Sequence, residues 1–509
     1  MLLWLTFLPL VGVLAILLAP DRAGTQRGIA LLTSLVVAVL GLVLWGCFEG
    51  GDAAMQLTTS IDWFEIALPA GHVVPVHFAF GVDGISILLV VLTAVLMPFV
   101  VLSTAGHIDK RFKEFFLWLL VMETGMLGVF LSTDLVQFYF FWELSLVPLY
   151  FILGIWGGSR RLYATIKFFL YTVAGSLVML IAIISLLYQT GTSDISELIS
   201  RAGGLDPSQQ AWIFGSFALA FAIKVPMLPF HTWLADAHTE APTSGSVILA
   251  GVLLKMGTYG LLRFGIQLFP EMALSYSGLF LCLGAAGIVY GAFLAMAQSD
   301  LKRLVACSSV SHLGFVVLGM FALTEAGLRG SVLQMVNHGI STGLLFLLVG
   351  MIYERRHTRM LDRFGGVARV MPVFAFFFVF TVLSSAGLPG LNGFVGEYMI
   401  LSGTFLASPL WAAVAVTGVI FGAVYLLVAT RRVLFGPLVH EENKALTDLG
   451  MREIGILVPL CVLALWIGIS PNTFVGKTAG TLDQLSERIH QIRADDARTA
   501  EVSLLEETR

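Results

Sequence analysis

Charged residues are scarce in this sequence. Only 12% of the 509 residues are Asp, Glu, Lys or Arg, whereas a soluble domain has about 25%. The hydrophobic fraction is 57% and the mean hydropathy is +0.90. So little charge cannot cover a large soluble fold with polar surface. The composition therefore excludes a soluble enzyme and indicates a polytopic membrane protein.

Cysteine is also scarce, and nucleotide-binding motifs are missing. The four cysteines (Cys47, Cys282, Cys307 and Cys461) are far apart and embedded in apolar segments. They lack the spacing of a metal or iron–sulfur site, so we interpret them as small core residues. No P-loop or GxGxxG motif opens a strand–helix unit. We expect no flavin, iron–sulfur, quinone, nucleotide or metal site in this chain, and no nucleic-acid binding.

Long apolar segments fill most of the chain. A membrane-spanning helix needs about 20 mostly apolar residues, and fourteen segments meet this requirement. We number them as spans 1–14; they lie at about 2–20, 28–48, 79–104, 114–131, 134–156, 164–189, 211–235, 244–266, 272–297, 302–322, 329–352, 371–406, 410–434 and 453–474. The first has no basic region before it and no small-residue cleavage site after it. We therefore interpret it as a helix and not as a signal peptide.

Basic residues are concentrated in alternate connecting segments. If residues 21–27 lie in the cytoplasm, nearly all Lys and Arg residues between spans lie on that side too, which is the positive-inside pattern. This orientation places the N-terminus on the outer side. The outer loop 48–78 contains acidic residues and no Lys or Arg. Residues 475–509 are predicted to form a flexible tail of mixed charge.

Two spans contain helix-breaking residues. Span 7 has Pro226 and Pro229 in VPMLP, and span 12 has Pro389 among glycines in SAGLPGLNG. Proline removes a backbone donor, and freed backbone groups are tolerated at membrane depth only inside protein or beside water. Each break is in the fourth helix of a set of five, spans 4–8 and spans 9–13. Because five is odd, the second set starts on the opposite side, as in inverted repeats. Two unrelated proline kinks are the alternative.

These observations predict an all-α polytopic membrane protein. It has fourteen transmembrane helices and two inverted five-helix repeats, and its helices 7 and 12 are broken. Five parts follow one another along the chain. They are spans 1–3 at 1–104, the first repeat at 114–266, the second repeat at 272–434, span 14 at 453–474 and the tail at 475–509.

Six titratable side chains fall near the middle of the predicted membrane. They are Glu143, Lys224, Lys255, His312, His338 and Glu397. At 1.5 Å per helical residue, the first five lie roughly 12–20 Å from an end of their spans, and the last follows the break in span 12. A charge at this depth costs roughly 2.5–3.5 kcal/mol on insertion scales. These side chains must therefore face the interior, where a line of them with water between is suited to carry protons.

Lysine, glutamate and histidine suit proton transfer. Burial favours the neutral forms of lysine and glutamate, and a nearby opposite charge favours their charged forms. A change in the separation of Glu143 and Lys224 would therefore switch the protonation of the lysine. Histidine titrates near neutrality and can pass protons through its two ring nitrogens. A structural ion pair between helices, and satisfied core histidines at 312 and 338, are the alternatives.

Other candidates also have two interpretations. Lys255 is a proton relay or a hydrogen-bonded packing residue, and Glu397 is a proton carrier or a cap of the second half of its broken helix. His231 and His238, near the cytoplasmic end of span 7, are candidates for lining a proton entrance. The alternative for these two histidines is a solvated loop.

Four long motifs resemble one family of membrane proteins. They are FFWELSLVPLYFILGIWGG, KVPMLPFHTWLADAHTEAPTSGSVILAGVLLKMGTYGLLRF, AQSDLKRLVACSSVSHLGF and GLPGLNGFVGEYMIL. Together they are similar to the antiporter-like membrane subunits of respiratory complex I, the NADH:quinone oxidoreductase. The resemblance runs from Asp83 to about residue 470. The stretch AHTEAPTSG favours complex I over the cation/proton antiporters of the Mrp type, which resemble the same family.

The resemblance implies a role for each of the six central residues. In order along the path they would be a controlling pair, a central relay lysine, two relay histidines and a terminal carboxylate, namely Glu143 with Lys224, Lys255, His312 with His338, and Glu397. Glutamate at the last position, where lysine is the alternative, favours one of three sister subunits. The resemblance also implies the fourteen-helix fold with inverted repeats.

The resemblance further implies a proton-translocating subunit of a larger redox enzyme in the bacterial inner membrane. FMN, iron–sulfur clusters and quinone would be bound by partner subunits, and sister antiporter-like subunits would lie on either side. Three alternatives stay open: an Mrp-type cation/proton antiporter subunit, the equivalent subunit of a ferredoxin- or hydrogenase-linked complex, and a scaffold that does not pump. Because the electron donor would be bound by other polypeptides, this sequence does not distinguish well between the NADH enzyme and a ferredoxin- or hydrogenase-linked complex.

Overall fold

Helices dominate the computed structural model, which describes residues 1–67, 73–106, 108 and 110–507. For residue 496 and residues 499–507 only the backbone is described. Within these residues, ten helices are long and apolar enough to cross a membrane, and three shorter helices are also apolar. Helices suit a bilayer because they satisfy their own backbone hydrogen bonds.

The helices and strands are numbered in chain order. The first part contains α1 (Leu2–Leu18), α2 (Ala23–Cys47), β1 (Gln56–Ala67), β2 (Val73–Val82) and α3 (Ile87–Ser103). The second contains α4 (Phe112–Leu131), α5 (Leu135–Trp156), α6 (Arg161–Thr190), α7 (Ile195–Arg201), α8 (Pro207–Lys224), α9 (Thr232–Glu240), α10 (Thr243–Ile248) and α11 (Leu254–Gly260). The third contains α12 (Pro270–Ser275), α13 (Ser277–Met296), α14 (Leu301–Phe321), α15 (Glu325–Arg356), α16 (Pro372–Ser385), α17 (Asn392–Ala407) and α18 (Pro409–Leu434). The last contains α19 (Glu441–Lys444), α20 (Met451–Ile469), α21 (Asn472–Val475) and α22 (Ala479–Glu507).

The predicted outer loop 48–78 contains most of a β-hairpin that the sequence analysis missed. Strands β1 and β2 pair antiparallel, with Ile66 opposite Val74. Residues 68–72 between the strands lie outside the described residues. Burial alternates at the start of β2, where Val74 and Val76 are buried and Val73 is exposed. This is the period-two pattern of a strand with one buried face.

The prediction of a flexible tail is wrong, because residues 479–507 form the helix α22. Leu482, Leu485 and Ile489 are buried, at the spacing of one helical face. Asp483 forms an ion pair with Arg329 near the start of α15. Mixed charge is also typical of the solvated face of a helix. The apolar stripe on the other face predicts a helix, but the overall composition of the segment does not show it. Residues 508–509 lie outside the described residues.

One end of the helix bundle carries the hairpin, and we call it the hairpin face. The backbone N–H of His77 in β2 donates to the Asp134 carboxylate at the start of α5 (3.0 Å). The backbone N–H of Gly84 donates to the Thr481 hydroxyl of α22 (3.0 Å). The hairpin, the start of α5 and the C-terminal helix therefore lie together.

The opposite end, where α5 finishes, carries most of the basic residues, and we call it the basic face. The Gly158 N–H donates to the Glu240 carbonyl (2.8 Å), and the Leu301 N–H donates to the Arg359 carbonyl (2.8 Å). These bonds join the links that follow α5, α9, α13 and α15. The basic residues in and beside these links are Arg160, Arg161, Lys302, Arg303, Arg355, Arg356 and Arg359.

Both predicted helix breaks are present. Helix α8 ends at Lys224, and seven residues separate it from α9, while α16 ends at Ser385 before a turn that precedes α17. The first break frees backbone carbonyls at the end of α8. The indole N–H of Trp233 donates to the Ile223 carbonyl (2.9 Å), so protein satisfies this group in the interior, as membrane depth requires.

The segment 243–267 is a continuous but irregular helix. Two π-helical stretches, Leu249–Leu253 and Leu261–Gln267, alternate with α10 and α11. The segment is buried along its length. A π stretch shifts the backbone hydrogen bonds by one residue and is frequent at functional sites. Lys255 lies two residues after the first π stretch.

A buried ion pair anchors this irregular helix to α3. The Arg263 guanidinium donates two hydrogen bonds to the Asp83 carboxylate, both 2.6 Å long. The side chains are 1% and 2% exposed. Asp83 also accepts from the backbone N–H groups of Ile85 and Ser86, which precede α3. One carboxylate thus fixes two helices that flank the interior.

Candidate functional site

Lys255 lies in the interior of the bundle, with no exposed surface. Its amine donates to the Ala250 carbonyl, which belongs to the first π stretch. The same amine lies 2.6 Å from Nδ1 of His338 on α15. Lys255 is therefore well bonded, as the packing interpretation requires, but one of its partners is a group that can exchange a proton with it.

His338 and His312 continue the line beyond Lys255. Their ring centroids are 5.8 Å apart, and Nε2 of His338 has no hydrogen-bond partner among the described residues. Both residues line a cavity of about 10 Å³, together with Asn337, Ser341 and Ser385. This volume suffices for about one water molecule, and its polar lining is of the kind that holds one. The two histidines are therefore within reach of each other through one water.

Glu397 lies at the far end of this line. Its Oε1 is 3.4 Å from Nδ1 of His312 and 3.5 Å from the Gln334 amide nitrogen. The carboxylate is buried. Glu397 is the sixth residue of α17, which starts at Asn392 without a side-chain cap. The capping interpretation is therefore wrong, and the carboxylate contacts a histidine.

A network of hydroxyl and amide groups holds the second helix break beside this line. The Asn392 carboxamide accepts from the Ser384 hydroxyl (2.5 Å) and donates to the Ser341 hydroxyl (3.1 Å). The side-chain amide of Asn337 donates to the backbone carbonyl of Asn392 (2.7 Å). The sequence analysis missed this network. Its signal was the run of polar residues on one face of the otherwise apolar α15, which includes Gln334.

Glu143 and Lys224 are not joined by an ion pair within the described part of the chain. The Lys224 amine lies 5.2 Å from the centroid of the Trp142 ring and 5.9 Å from that of Phe168, where cation–π attraction operates. One Glu143 carboxylate oxygen is buried without a hydrogen-bond partner among the described residues. The structural ion pair that was the alternative interpretation is therefore absent, and the two groups are in a separated arrangement.

The two entrance candidates lie in different surroundings. His231 precedes α9, and its ring packs against Tyr290 with centroids 5.2 Å apart. His238 is completely buried and stacks on Phe346 at 4.7 Å. Neither ring nitrogen of His238 has a hydrogen-bond partner in the described structure. The solvated-loop interpretation is therefore wrong for His238, and the structure does not bring the two histidines into contact.

Glycine at position 387 makes room for the terminal carboxylate. Gly387 has φ +77°, and a Cβ there would lie 2.8 Å from Oε2 of Glu397. We expect Gly387→Ala to displace this carboxylate from His312 and to slow proton transfer. The positive φ alone should cost roughly 1–2 kcal/mol. The measurement is proton transport beside thermal stability of the purified protein.

A matched control separates the two effects. Gly390 also has a positive φ, +91°, but a Cβ there meets no atom within 4 Å. Gly390→Ala should therefore lose a similar amount of stability and keep its transport rate. Equal transport by the two variants would show that the contact at Gly387 does not matter.

A comparison with known families covers all six central residues. Residues 132–422 match the family described as NADH:quinone oxidoreductase/Mrp antiporter, TM. The match spans more than half of the chain. The chain belongs to this antiporter family.

Relatives and solved structures agree with this membership. The NADH-quinone oxidoreductase subunit M of Rhodobacter capsulatus is 41% identical over 506 residues, covering 96% of each chain. A chain of respiratory complex I from Thermus thermophilus with bound NADH superposes with a TM-score of 0.84 at 33% identity, covering 96% of this chain and 100% of that one. A chain of the Mrp complex from Dietzia sp. DQ12-45-1b superposes with a TM-score of 0.83 at 20% identity, covering 96% and 98%. The last match concerns the fold alone.

In this member of the family, the interior side chains are of types that can exchange protons. Within residues 1–67, 73–106, 108 and 110–507, no three His, Cys, Asp or Glu side chains form a group that could bind a metal ion. The described side chains that converge in the interior are amines, imidazoles, a carboxylate and neutral hydroxyl and amide groups. This set is suited to proton transfer.

Proposed function

We propose that this chain is a proton-translocating membrane subunit of an NADH:quinone oxidoreductase. The observation that carries the proposal is the interior line from Lys255 through His338 and His312 to Glu397. Each member can gain or lose a proton, and each lies within hydrogen-bond range or one water of the next. Membership of the antiporter family and 41% identity to a chain named NADH-quinone oxidoreductase subunit M support the same function.

The proposed cycle moves a proton from the basic face to the hairpin face. Uptake at the basic face protonates Lys255, and release follows Glu397. The separation of Glu143 and Lys224 controls the charge that acts on this line. Moving one charge against about 180 mV costs roughly 4 kcal/mol. Burial and a partner charge can change the proton affinity of one lysine by that amount.

The inverted repeat belongs to this proposal, and two matching backbone bridges support it. At the start of α5, Asp134 caps the helix and pairs antiparallel with Asp194. At the start of α14, Asp300 caps the helix and pairs antiparallel with Met360. The first bridge lies on the hairpin face and the second on the basic face. An inverted repeat of spans 4–8 and 9–13 places the same feature, a capping aspartate that forms an antiparallel bridge, on opposite faces.

The membrane setting completes the proposal. The chain would lie in the bacterial inner membrane, crossing it fourteen times, with the basic face in the cytoplasm and the N-terminus outside. Sister antiporter-like subunits would flank it. FMN, iron–sulfur clusters and quinone would be bound by partner subunits, because the proton line contains no group that carries electrons.

Lys224→Ala tests the role of the controlling pair. We expect the complex to assemble, because the Lys224 amine contacts the rings of Trp142 and Phe168 and its loss breaks no ion pair in the described structure. NADH-driven proton transport should fall several-fold, because the line loses the charge that controls it. The measurement is transport in membrane vesicles at equal amounts of assembled complex. Wild-type transport in assembled Lys224→Ala enzyme would exclude this role.

The proposed function as a whole is tested by identifying the partners. A tagged chain purified from its own membranes in mild detergent should carry NADH-oxidising, iron–sulfur subunits and show NADH:quinone activity. Purification with small membrane subunits only, without redox activity, would instead indicate a cation/proton antiporter. Ferredoxin or hydrogenase activity of the purified complex would identify the other redox alternative.

A further inference from the structure

A polar cavity opens at the basic face and leads toward the interior. Its volume is about 360 Å³, and its lining includes Ser159, Glu240, Lys302, Tyr353 and Arg359. Ser159 lies in the exposed link after α5, so the cavity is reached from the aqueous side. A volume of this size holds several water molecules.

Lys302 forms the deep, charged part of this lining. It is only 6% exposed, and its amine donates to the Ala241 carbonyl at the end of α9. Arg359 pairs with Asp300 at 3.1 Å, and Arg303 pairs with Asp236 at 3.3 Å. Among the described residues, Lys302 has no acidic partner within 4 Å.

Lys302 lies among charges of both signs, because Glu240 shares its cavity lining and Asp300 caps the same helix. It is the second residue of α14, and a cation at a helix N-terminus is repelled by the helix dipole. Arg359, a second cation, lines the same cavity. Packing alone does not require an amine there, because an apolar side chain of similar length fills the same space. A buried lysine that is destabilised in its charged form is well suited to release a proton.

His238 lies close to the contacts of both lysines. It is on α9, three residues before the Ala241 carbonyl that Lys302 contacts. Its backbone carbonyl accepts from the Ser246 hydroxyl of α10 (3.1 Å), and α10 leads into the π stretch before Lys255. Both of its ring nitrogens are buried and lack hydrogen-bond partners in the described structure. The ring is thus placed to accept a proton on one nitrogen and release one from the other.

We propose that Lys302 takes up protons from the cavity and passes them through His238 to Lys255. A hydronium ion that reaches the cavity gives a proton to the neutral Lys302 amine and becomes water, and the resulting ammonium passes a proton through a bridging water to one nitrogen of His238. The other ring nitrogen then passes its proton through a second bridging water to Lys255. The steps move one proton and require no oxidant or reductant. This inference rests on the proposed function and assigns its uptake site.

The test uses inverted membrane vesicles, in which the basic face contacts the medium. The readout is the membrane potential generated per NADH oxidised, because added amines would collapse a pH gradient. Lys302→Arg keeps the charge and the donor to Ala241, but guanidinium does not give up its proton. We expect its signal to fall to that of Lys255→Met. Lys302→Ala should fall as far, and methylamine should restore at least about half of the loss.

Matched variants make the outcome specific. Arg303→Gln removes a neighbouring charge that is 40% exposed and should leave the signal unchanged. Methylamine should not restore Lys255→Met, because Lys255 has no exposed surface through which an amine could replace it. Wild-type signals from Lys302→Arg, or from Lys302→Ala without amine, would overturn the inference. If Lys255→Met also gave the wild-type signal, the proposed function itself would fail.

Discussion

Replacing Lys255 by methionine should stop proton transfer through this chain. The amine is the link between the π stretch at Ala250 and the ring of His338. Without this amine, a proton must cross the gap between Ala250 and His338 as a charge that no titratable side chain carries, which costs roughly 2.5–3.5 kcal/mol. This corresponds to transfer that is roughly a hundredfold slower. The measurement is NADH-driven acidification of proteoliposomes that contain the assembled complex.

Methionine is chosen because it keeps most of the length of the lysine and is apolar. The helix 243–267 is buried on all sides, so a shorter residue would also leave a cavity and confuse the result. Lys444→Met is the control, because Lys444 is half exposed and pairs with Glu441 on the basic side. Acidification by the Lys255→Met enzyme at the rate of this control would show that Lys255 only packs.

Asp83→Ala should cause the largest loss of stability. It leaves the Arg263 guanidinium buried without its carboxylate, and breaking a buried pair in this way costs roughly 3–5 kcal/mol. The same change removes the acceptor for the N–H groups of Ile85 and Ser86, which costs about 1 kcal/mol more. We expect less assembled complex in the membrane and a lower temperature of half-inactivation after purification.

A double variant isolates the unpaired charge as the cause. Asp83→Leu combined with Arg263→Met replaces the pair by apolar groups, an exchange that is often neutral or stabilising. It should recover most of the stability and leave only the loss of the hydrogen bonds before α3. Equal instability of the single and double variants would mean that Asp83 acts through those backbone bonds alone.

The fold was predictable wherever the length of an apolar segment or a helix-breaking residue determines it. Pro226 and Pro389 mark real interruptions, because proline cannot continue a backbone ladder. The hairpin was missed because only part of β2 alternates in burial and β1 is largely exposed. Helix α22 was missed because its charged face dominates the composition of the segment, while the three buried apolar residues Leu482, Leu485 and Ile489 contribute little to it.

The candidate site was predictable in its members but not in its geometry. The free-energy cost of a charged side chain inside the membrane is enough to select Lys255, His312, His338 and Glu397, and the structure joins these four. This cost does not indicate which groups are in contact, so the separation of Glu143 from Lys224 was not predictable. Lys302 was not recognised as a candidate site residue, because a lysine near the cytoplasmic end of a helix is also expected from the positive-inside pattern.

The most direct test of the proton line is the number of protons moved per NADH oxidised. It should be measured side by side for assembled complexes that contain the wild-type chain and Lys255→Met. If the line carries protons, the variant moves fewer protons per NADH, because the share carried by this chain is lost. The same number for both would show that protons cross the membrane without the line that begins at Lys255.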